Sequence, residues 1–314
     1  MNKAQIIIDV PLPDFLAPVF AADYVLHDWS MLDASAQDRA SITGILSYVH
    51  THIGGAELDR LPNVRVVSNY GVGVDHIDVI AARARGIPVG NTPGTVDGAT
   101  ADMTMALLLA VARNVVQGDR YARGPDFLAF DPAHLLGHDV FGATLGIIGL
   151  GRIGREVAKR ARGFDMTILY HNRRRDEEAE AAFDAEYCDL ATLLSRADFV
   201  SLTCPLTDET RGLIGAPQLR QMKQTAFLVN TARGAVVDHT ALYDALSSGG
   251  IAGAAIDVTE PEPLPRDHPL LGLDNLVIAP HLGTSTYDTR LKMAEIMRDN
   301  LLAGLQGEPL RHSV

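Results

Sequence analysis

The sequence predicts an α/β protein of two doubly wound parallel-sheet domains, and three observations carry that expectation. Short β-rich runs alternate with helical patterns almost from end to end, the rhythm of βαβ units. The runs are continuous and apolar, so both faces of each strand are buried, as in parallel sheets covered by helices. At 314 residues the chain has room for two domains of roughly 150 residues each.

The first set of runs is QIIIDV, YVLHD, SITGILSY, VRVVSNY and IPVGNT. A long apolar segment, TADMTMALLLAVARNVV, then reads as one helix from about Ala99 to Val116 that separates this set from the next. The second set is ATLGIIGLG, MTILYH, DFVSLTC, TAFLVNT, GAAIDV and NLVIAP, with stretches of about ten residues of helical pattern between them. After NLVIAPHLG comes a last helix, Thr286 to Leu305, with no further strand beside it. Such a helix packs back on the first set. The expected domains are therefore residues 1–97 with 286–314, discontinuous, and residues 98–285.

Composition excludes several functions. Hydrophobic residues make up 47% and charged residues 21%, so the chain is expected to fold throughout. Lys and Arg number 27 against 39 Asp and Glu, and a formal charge of −12 repels a nucleic-acid backbone. Any bound phosphate must be held locally. No run approaches the ~18 apolar residues of a membrane span, and MNKAQIIIDV turns polar at Asp9, too early for a signal peptide. Cys188 and Cys204 fit neither a disulfide framework nor a CxxC metal site and read as reduced core residues. The expectation is a cytoplasmic protein with no metal and no membrane or nucleic-acid partner.

A dinucleotide fingerprint lies in LGIIGLGRIGREVAKRARGF, where Gly149, Gly151 and Gly154 form G-x-G-x-x-G between a strand and a helix with apolar residues at helical spacing. Gly149 permits the tight turn, Gly151 lets the backbone approach a pyrophosphate, and Gly154 lets helix and strand pack closely. The helix start, Arg152 and Ile153, offers backbone N–H groups to the anion. In an NAD site an acidic residue near the end of the second strand binds the adenine ribose. Here that position is Asn172, followed by Arg173, Arg174 and Arg175. Asn does not repel a 2′-phosphate, and guanidinium forks suit one. Arg173 and Arg174 therefore read as selectors of NADP(H), with NAD(H) also accepted; Arg175 reads equally as a solvated residue at a helix start.

Candidate catalytic groups follow successive strands: Arg233 in NTARG, Glu262 in DVTEPEP and His281 in APHLG. Singly, each has an ordinary reading as a loop His, an ion-pair Arg or a loop carboxylate. All three downstream of one fingerprint make coincidence a poor account. A nicotinamide site needs a substrate anchor and a proton donor, and these residues are candidates for both. Arg233 can hold two oxygens of an anionic substrate with one planar fork. His281 can donate the proton if Glu262 stabilises and orients the imidazolium.

The motifs NYGVGVDHID, GIPVGNTPG, ATADMTMALLL, GIIGLGRIG, NTARGAVVD, AIDVTEPEPLPRDHPLL and APHLGTST occur in the order found in the D-isomer-specific 2-hydroxyacid dehydrogenases. The chain resembles that family, and most of all its glyoxylate/hydroxypyruvate reductase branch. The resemblance implies a homodimer in which a flavodoxin-like substrate domain and a Rossmann-type cofactor domain flank a cleft. It assigns substrate binding to Arg233, acid/base work to His281 and pairing with that His to Glu262. The backbone of Val72 and Gly73 takes the substrate carboxylate, a role that suits a glycine-bracketed loop. Thr231, Asp257 and Gly283 face the nicotinamide half or the catalytic residues, and Pro205 lines the adenine or pyrophosphate side; Asp257 also reads as a strand-end cap and Pro205 as a structural strand end. Two departures stand out. Asn172 replaces the acidic residue of NAD-preferring members, and PDFLAFDPAHLLGHDVFG lacks the Trp that some reductases of this branch place there, leaving His134 or Phe130 as the stand-in. The expected activity is reduction of a small 2-keto acid; the alternatives are a reductase of larger 2-keto acids and a dinucleotide-sensing corepressor-like protein. The helix from Ala99 to Val116 and the arm after it are expected to form the dimer contact, because their apolar residues exceed what one helix face needs.

Overall fold

The computed structural model describes residues 3–314. The chain divides into two compact units, one running up to Val96 and resuming over Thr286–Val314, the other Asp97–Ser285.

The first unit holds β1 (Ala4–Ile8), β2 (Tyr24–Asp28), β3 (Ile42–Ser47), β4 (Val67–Asn69) and β5 (Val89–Gly90), all parallel in the order β2-β1-β3-β4-β5. That is the flavodoxin-like order. Ile7, Ile45, Val67 and Val89 pack on one face with Leu58, Leu61 and Ile77. The helix Tyr287–Gln306 packs on β3, β4 and β5, burying Met293, Met297 and Leu301. Thr286 caps its start by accepting from the Thr289 N–H, and Gly307, at φ +74°, ends it. Gly304 is required there, since a Cβ would lie 2.5 Å from the Val66 side chain. Past the helix the chain returns to β5, where Val314 N–H donates to Val89 O at 3.0 Å.

The second unit holds β6 (Thr144–Ile148), β7 (Thr167–His171), β8 (Ala185–Tyr187), β9 (Phe199–Leu202), β10 (Phe227–Asn230), β11 (Gly253–Ile256) and β12 (Leu276–Ile278), parallel in the order β12-β11-β10-β9-β6-β7-β8. This is the doubly wound dinucleotide-binding order with one strand added, and its order reverses between β6 and β9. The strand period of two divides the core. Ile148, Leu169, Val200, Leu228 and Ile256 face one cluster with Leu193, Leu194 and Leu242. Ile147, Ile168, Phe199, Val229 and Ala255 face the other with Met105, Leu108 and Val157.

Three details correct the sequence reading. The second sheet has seven strands instead of six: β8 is a three-residue edge strand with two exposed positions, too short to show a period. The helix expected from Ala99 to Val116 breaks after Ala112; Asn114 takes the left-handed conformation, φ +52°, and a second helix runs Val115–Arg123. Much of the apolar excess of the helix Asp97–Ala112 is used inside its own unit, because it packs on β10, β11, β12 and the helix Arg152–Ala161, while Asp102 and Ala106 stay exposed.

Candidate functional site

The carboxyl edge of the second sheet gathers most of the expected residues. At the strand reversal, Gly149 (φ +102°) turns the chain after β6, and a Cβ there would lie 2.6 Å from Cys204 N just beyond β9. Thr203 Oγ1 donates to Gly149 O at 2.9 Å and fixes the loop from the β9 side. A Cβ on Gly154 would lie 2.5 Å from Gly149 O, so helix and loop touch as the fingerprint requires. At Gly151 a Cβ would meet only open space. Gly151 is also the N-cap of the helix Arg152–Ala161 and offers no side-chain cap, so the first-turn N–H groups of Arg152, Ile153 and Gly154 find no acceptor among the described residues. An open approach over uncapped donors fits a pyrophosphate.

Asn172, just after β7, is committed to this loop: its Oδ1 accepts from Leu150 N–H at 2.7 Å. It clamps the turn, a function its spacing alone did not reveal. The three arginines behind it separate cleanly. Arg175 forks onto Glu180 at 2.8 and 2.7 Å, and with the Tyr170 hydroxyl it pushes that carboxyl down to about 2. Arg155 reaches Asp176 at 2.6 Å, so the turn is braced from both sides. Arg173 and Arg174 are exposed and make no ion pair among the described residues. Pro205 sits exposed after β9 with its carbonyl accepting from Thr210 Oγ1 at 2.7 Å.

Three adjacent strands, spaced at ~4.8 Å intervals as in any sheet, deliver the catalytic candidates. After β10, buried Asn230 builds the turn that carries Arg233: Nδ2 donates to Arg233 O at 2.9 Å and Oδ1 accepts from Ala232 N–H at 3.0 Å. Gly234 presses this turn against the next loop so closely that a Cβ would lie 2.0 Å from the Thr259 carbonyl carbon. Thr231 shares a 2.8 Å hydrogen bond with Thr104. After β11, buried Asp257 accepts from Leu282 N–H at 2.6 Å and Gly283 N–H at 2.7 Å, while its carbonyl accepts from His281 N–H at 2.8 Å. Burial raises the Asp257 carboxyl above its usual range, against the pull of the two N–H donors. These bonds hold His281, after β12, at φ +57°, a conformation a non-glycine residue keeps only when its surroundings enforce it. His281 Nδ1 then meets Glu262 Oε1 at 2.6 Å, and Glu262 Oε2 accepts from Thr259 N–H at 3.3 Å.

The structure thus pairs Glu262 with His281, ties Asp257 to Gly283 and sets Arg233 on the same sheet edge. Val72 and Gly73 lie in the first unit, in the loop after β4. Sequence reasoning missed Asn230, Thr203, Gly234 and Thr259. The signals were faint: a polar residue at the end of an apolar strand, and a glycine directly after the candidate Arg.

Residues 105–283 match the family model described as D-isomer specific 2-hydroxyacid dehydrogenase, NAD binding domain. The chain is 51% identical over 265 residues to a glyoxylate reductase of Korarchaeum cryptofilum, covering 84% of this chain and 80% of that one. Its fold matches a crystal structure of a Thermus thermophilus protein with a TM-score of 0.90 at 42% identity, over 99% of both chains. It also matches an NADPH-dependent glyoxylate/hydroxypyruvate reductase of Sinorhizobium meliloti, solved with NADP and malonate, with a TM-score of 0.90 at 29% identity, over 100% of this chain and 97% of that one. With the fingerprint loop, the sheet order and these likenesses in agreement, this chain belongs to the D-isomer specific 2-hydroxyacid dehydrogenases, NAD(P)-dependent oxidoreductases.

Proposed function

We propose that the protein is an NADPH-preferring reductase of small 2-keto acids, taking glyoxylate to glycolate and hydroxypyruvate to D-glycerate. The 2.6 Å bond from His281 Nδ1 to Glu262 Oε1 carries this reading. A carboxylate on one ring nitrogen fixes the orientation of the ring and leaves the other nitrogen for the substrate. The bound dinucleotide supplies hydride to the keto carbon. His281 Nε2 gives its proton to the keto oxygen as charge builds there, and Glu262 holds the ring in place. Arg233 spans the keto oxygen and the carboxylate, and the family resemblance assigns carboxylate contacts to the N–H groups of Val72 and Gly73. Asp257 acts through the backbone of the His281 loop.

Similarity to glyoxylate reductases at up to 51% identity among the relatives named supports the substrate class. NADPH preference is supported by Arg173 and Arg174, uncommitted on a braced turn, and by the neutral Asn172 beside them. Their place is that of the family's ribose contacts. We assign the enzyme to the cytoplasm as a homodimer; two buried free thiols agree with a reducing compartment. Steady-state kinetics with glyoxylate and hydroxypyruvate, each with NADPH and NADH, test the whole reading. Turnover of neither acid, or equal use of both cofactors, overturns the corresponding half.

A further inference from the structure

The loop Gly71–Val72–Gly73 has each of its three carbonyls tied by a side-chain amide of the same unit. Asn69, at the end of β4, donates from one Nδ2 to both Gly71 O at 3.1 Å and Gly73 O at 2.9 Å. Asn91, just after β5, donates from Nδ2 to Val72 O at 2.9 Å, and Thr92 N–H adds a bond to Gly71 O at 3.0 Å. No backbone N–H from Gly71 to Val74 finds an acceptor among the described residues. In a short loop the carbonyl of one residue and the N–H of the next belong to one rigid peptide plane, so fixing three carbonyls fixes where the following N–H groups point. The arrangement aims a run of backbone donors away from the two asparagines, the geometry of an anion-binding concavity.

The asparagine amides are themselves oriented. Asn69 is 1% exposed and its Oδ1 is buried with no hydrogen-bond partner. Turning the amide over to satisfy that oxygen elsewhere would set it against two carbonyl oxygens, so the unpaired acceptor accompanies the double donation. Asn91 is held from behind: fully buried Asn300, on the helix Tyr287–Gln306, donates from Nδ2 to Asn91 O at 3.0 Å and accepts from His312 N–H at 3.1 Å. His312 O in turn accepts from Asn91 N–H at 3.2 Å. Gly90 fits because a Cβ would lie 2.8 Å from the Asn300 side chain. The C-terminal segment is thereby connected to the loop through Asn300, Asn91 and Val72.

We propose that Asn69 and Asn91 are positioning residues for the substrate carboxylate, orienting the Val72–Gly73 donors through their carbonyls without touching the substrate. This rests on the reading, given above, that those donors hold the carboxylate of a 2-keto acid. Losing one orienting bond lets the loop sample other peptide orientations, which weakens anchoring of substrate and leaves the dinucleotide, bound in the other unit, unaffected.

The test compares wild type with Asn91→Ala and Asn91→Asp, the latter of the same shape and unable to donate. KM for glyoxylate and the inhibition constant of oxalate, a carboxylate probe, are expected to rise about five- to tenfold, with KM for NADPH unchanged, as the loss of a single hydrogen bond implies. A general loss of structure would instead lower the melting temperature and weaken both ligands together, so thermal unfolding is recorded for each variant. Unchanged glyoxylate and oxalate constants in folded variants, with wild type active, overturn this inference alone. Both ligands weakened in parallel with a lowered melting temperature also overturn it, because the asparagine then serves the fold only. Wild type that neither reduces glyoxylate nor binds oxalate overturns the underlying reading and this inference with it.

Discussion

At His281 two properties meet that neither the residue type nor its neighbours provide alone: a left-handed backbone and a 2.6 Å bond to Glu262. His281→Ala removes the proposed proton donor and keeps the dinucleotide site, whose glycine loop lies after β6. Turnover is expected to fall about 10²- to 10⁴-fold, the usual worth of a general acid, with NADPH affinity by fluorescence titration nearly intact. Retention of more than about a tenth of wild-type turnover would remove His281 from that role. Arg173 and Arg174 belong to the same scale. Replacing both by Ala takes away the two charge-assisted contacts proposed for the 2′-phosphate, at about 1.5–3 kcal/mol each, so KM for NADPH is expected to rise on the order of a hundredfold while KM for NADH stays put. Equal weakening of both cofactors would return the pair to solvated surface. Arg175 serves as the internal contrast, since its fork is already spent on Glu180.

Among the elements, the loops after β10 and β11 work as one part. Gly234 touches the Thr259 backbone, Thr259 N–H reaches Glu262, and Glu262 reaches His281. Backbone cannot swing aside as a flexible side chain can, so Gly234→Ala should cost on the order of 3 kcal/mol in urea unfolding and depress kcat as well. A fully stable and active variant would show that the two loops are independent. His239 closes the same loop from below, donating from Nδ1 to Glu260 O at 3.1 Å. Burial lowers its pKa below the usual 6.5, with the nearby His268 pushing the same way and the Glu260 carbonyl and Asp238 opposing. The unfolded chain therefore takes up the proton first as pH falls. The stability contributed by neutral His239 is complete above pH 6.5 and lost as pH drops through its lower folded value. His239→Gln should flatten the decline in unfolding free energy between neutral and mildly acidic buffer; slopes identical to wild type would sink this account.

For the molecule as a whole, exposed apolar side chains are concentrated in the arm after the helix Val115–Arg123. Leu128 is 89% exposed and Phe130 83%, with Leu136 and Phe141 exposed nearby. So much apolar surface in one short segment suits the contact of the homodimer proposed above. Sedimentation at micromolar concentration is expected to show a dimer for wild type and a monomer for Leu128→Asp/Phe130→Asp. A monomeric wild type, or an undisturbed dimer in the variant, would move the interface elsewhere. The helix Asp97–Ala112, whose composition first suggested this contact, is occupied by its own sheet.

The strand set of both sheets, apart from β8, could be read from apolar runs, because burial on both faces leaves few polar residues in a strand and a nearly contiguous signal. The glycine fingerprint was equally legible: close backbone approaches at Gly149 and Gly154 tolerate one residue type, so the constraint is written in the chain itself. Arg233, Glu262 and His281 stood out for a different reason, as chemically capable groups just past successive strand ends. What the sequence could not decide was how polar side chains spend their hydrogen bonds. Asn172 gripping Leu150, Arg175 gripping Glu180, and Asn69 and Asn91 gripping the Val72 loop depend on partners that only the packed sheets bring near. An amide or guanidinium can satisfy many partners, and its choice among them is made by proximity in the tertiary structure, which no local pattern records.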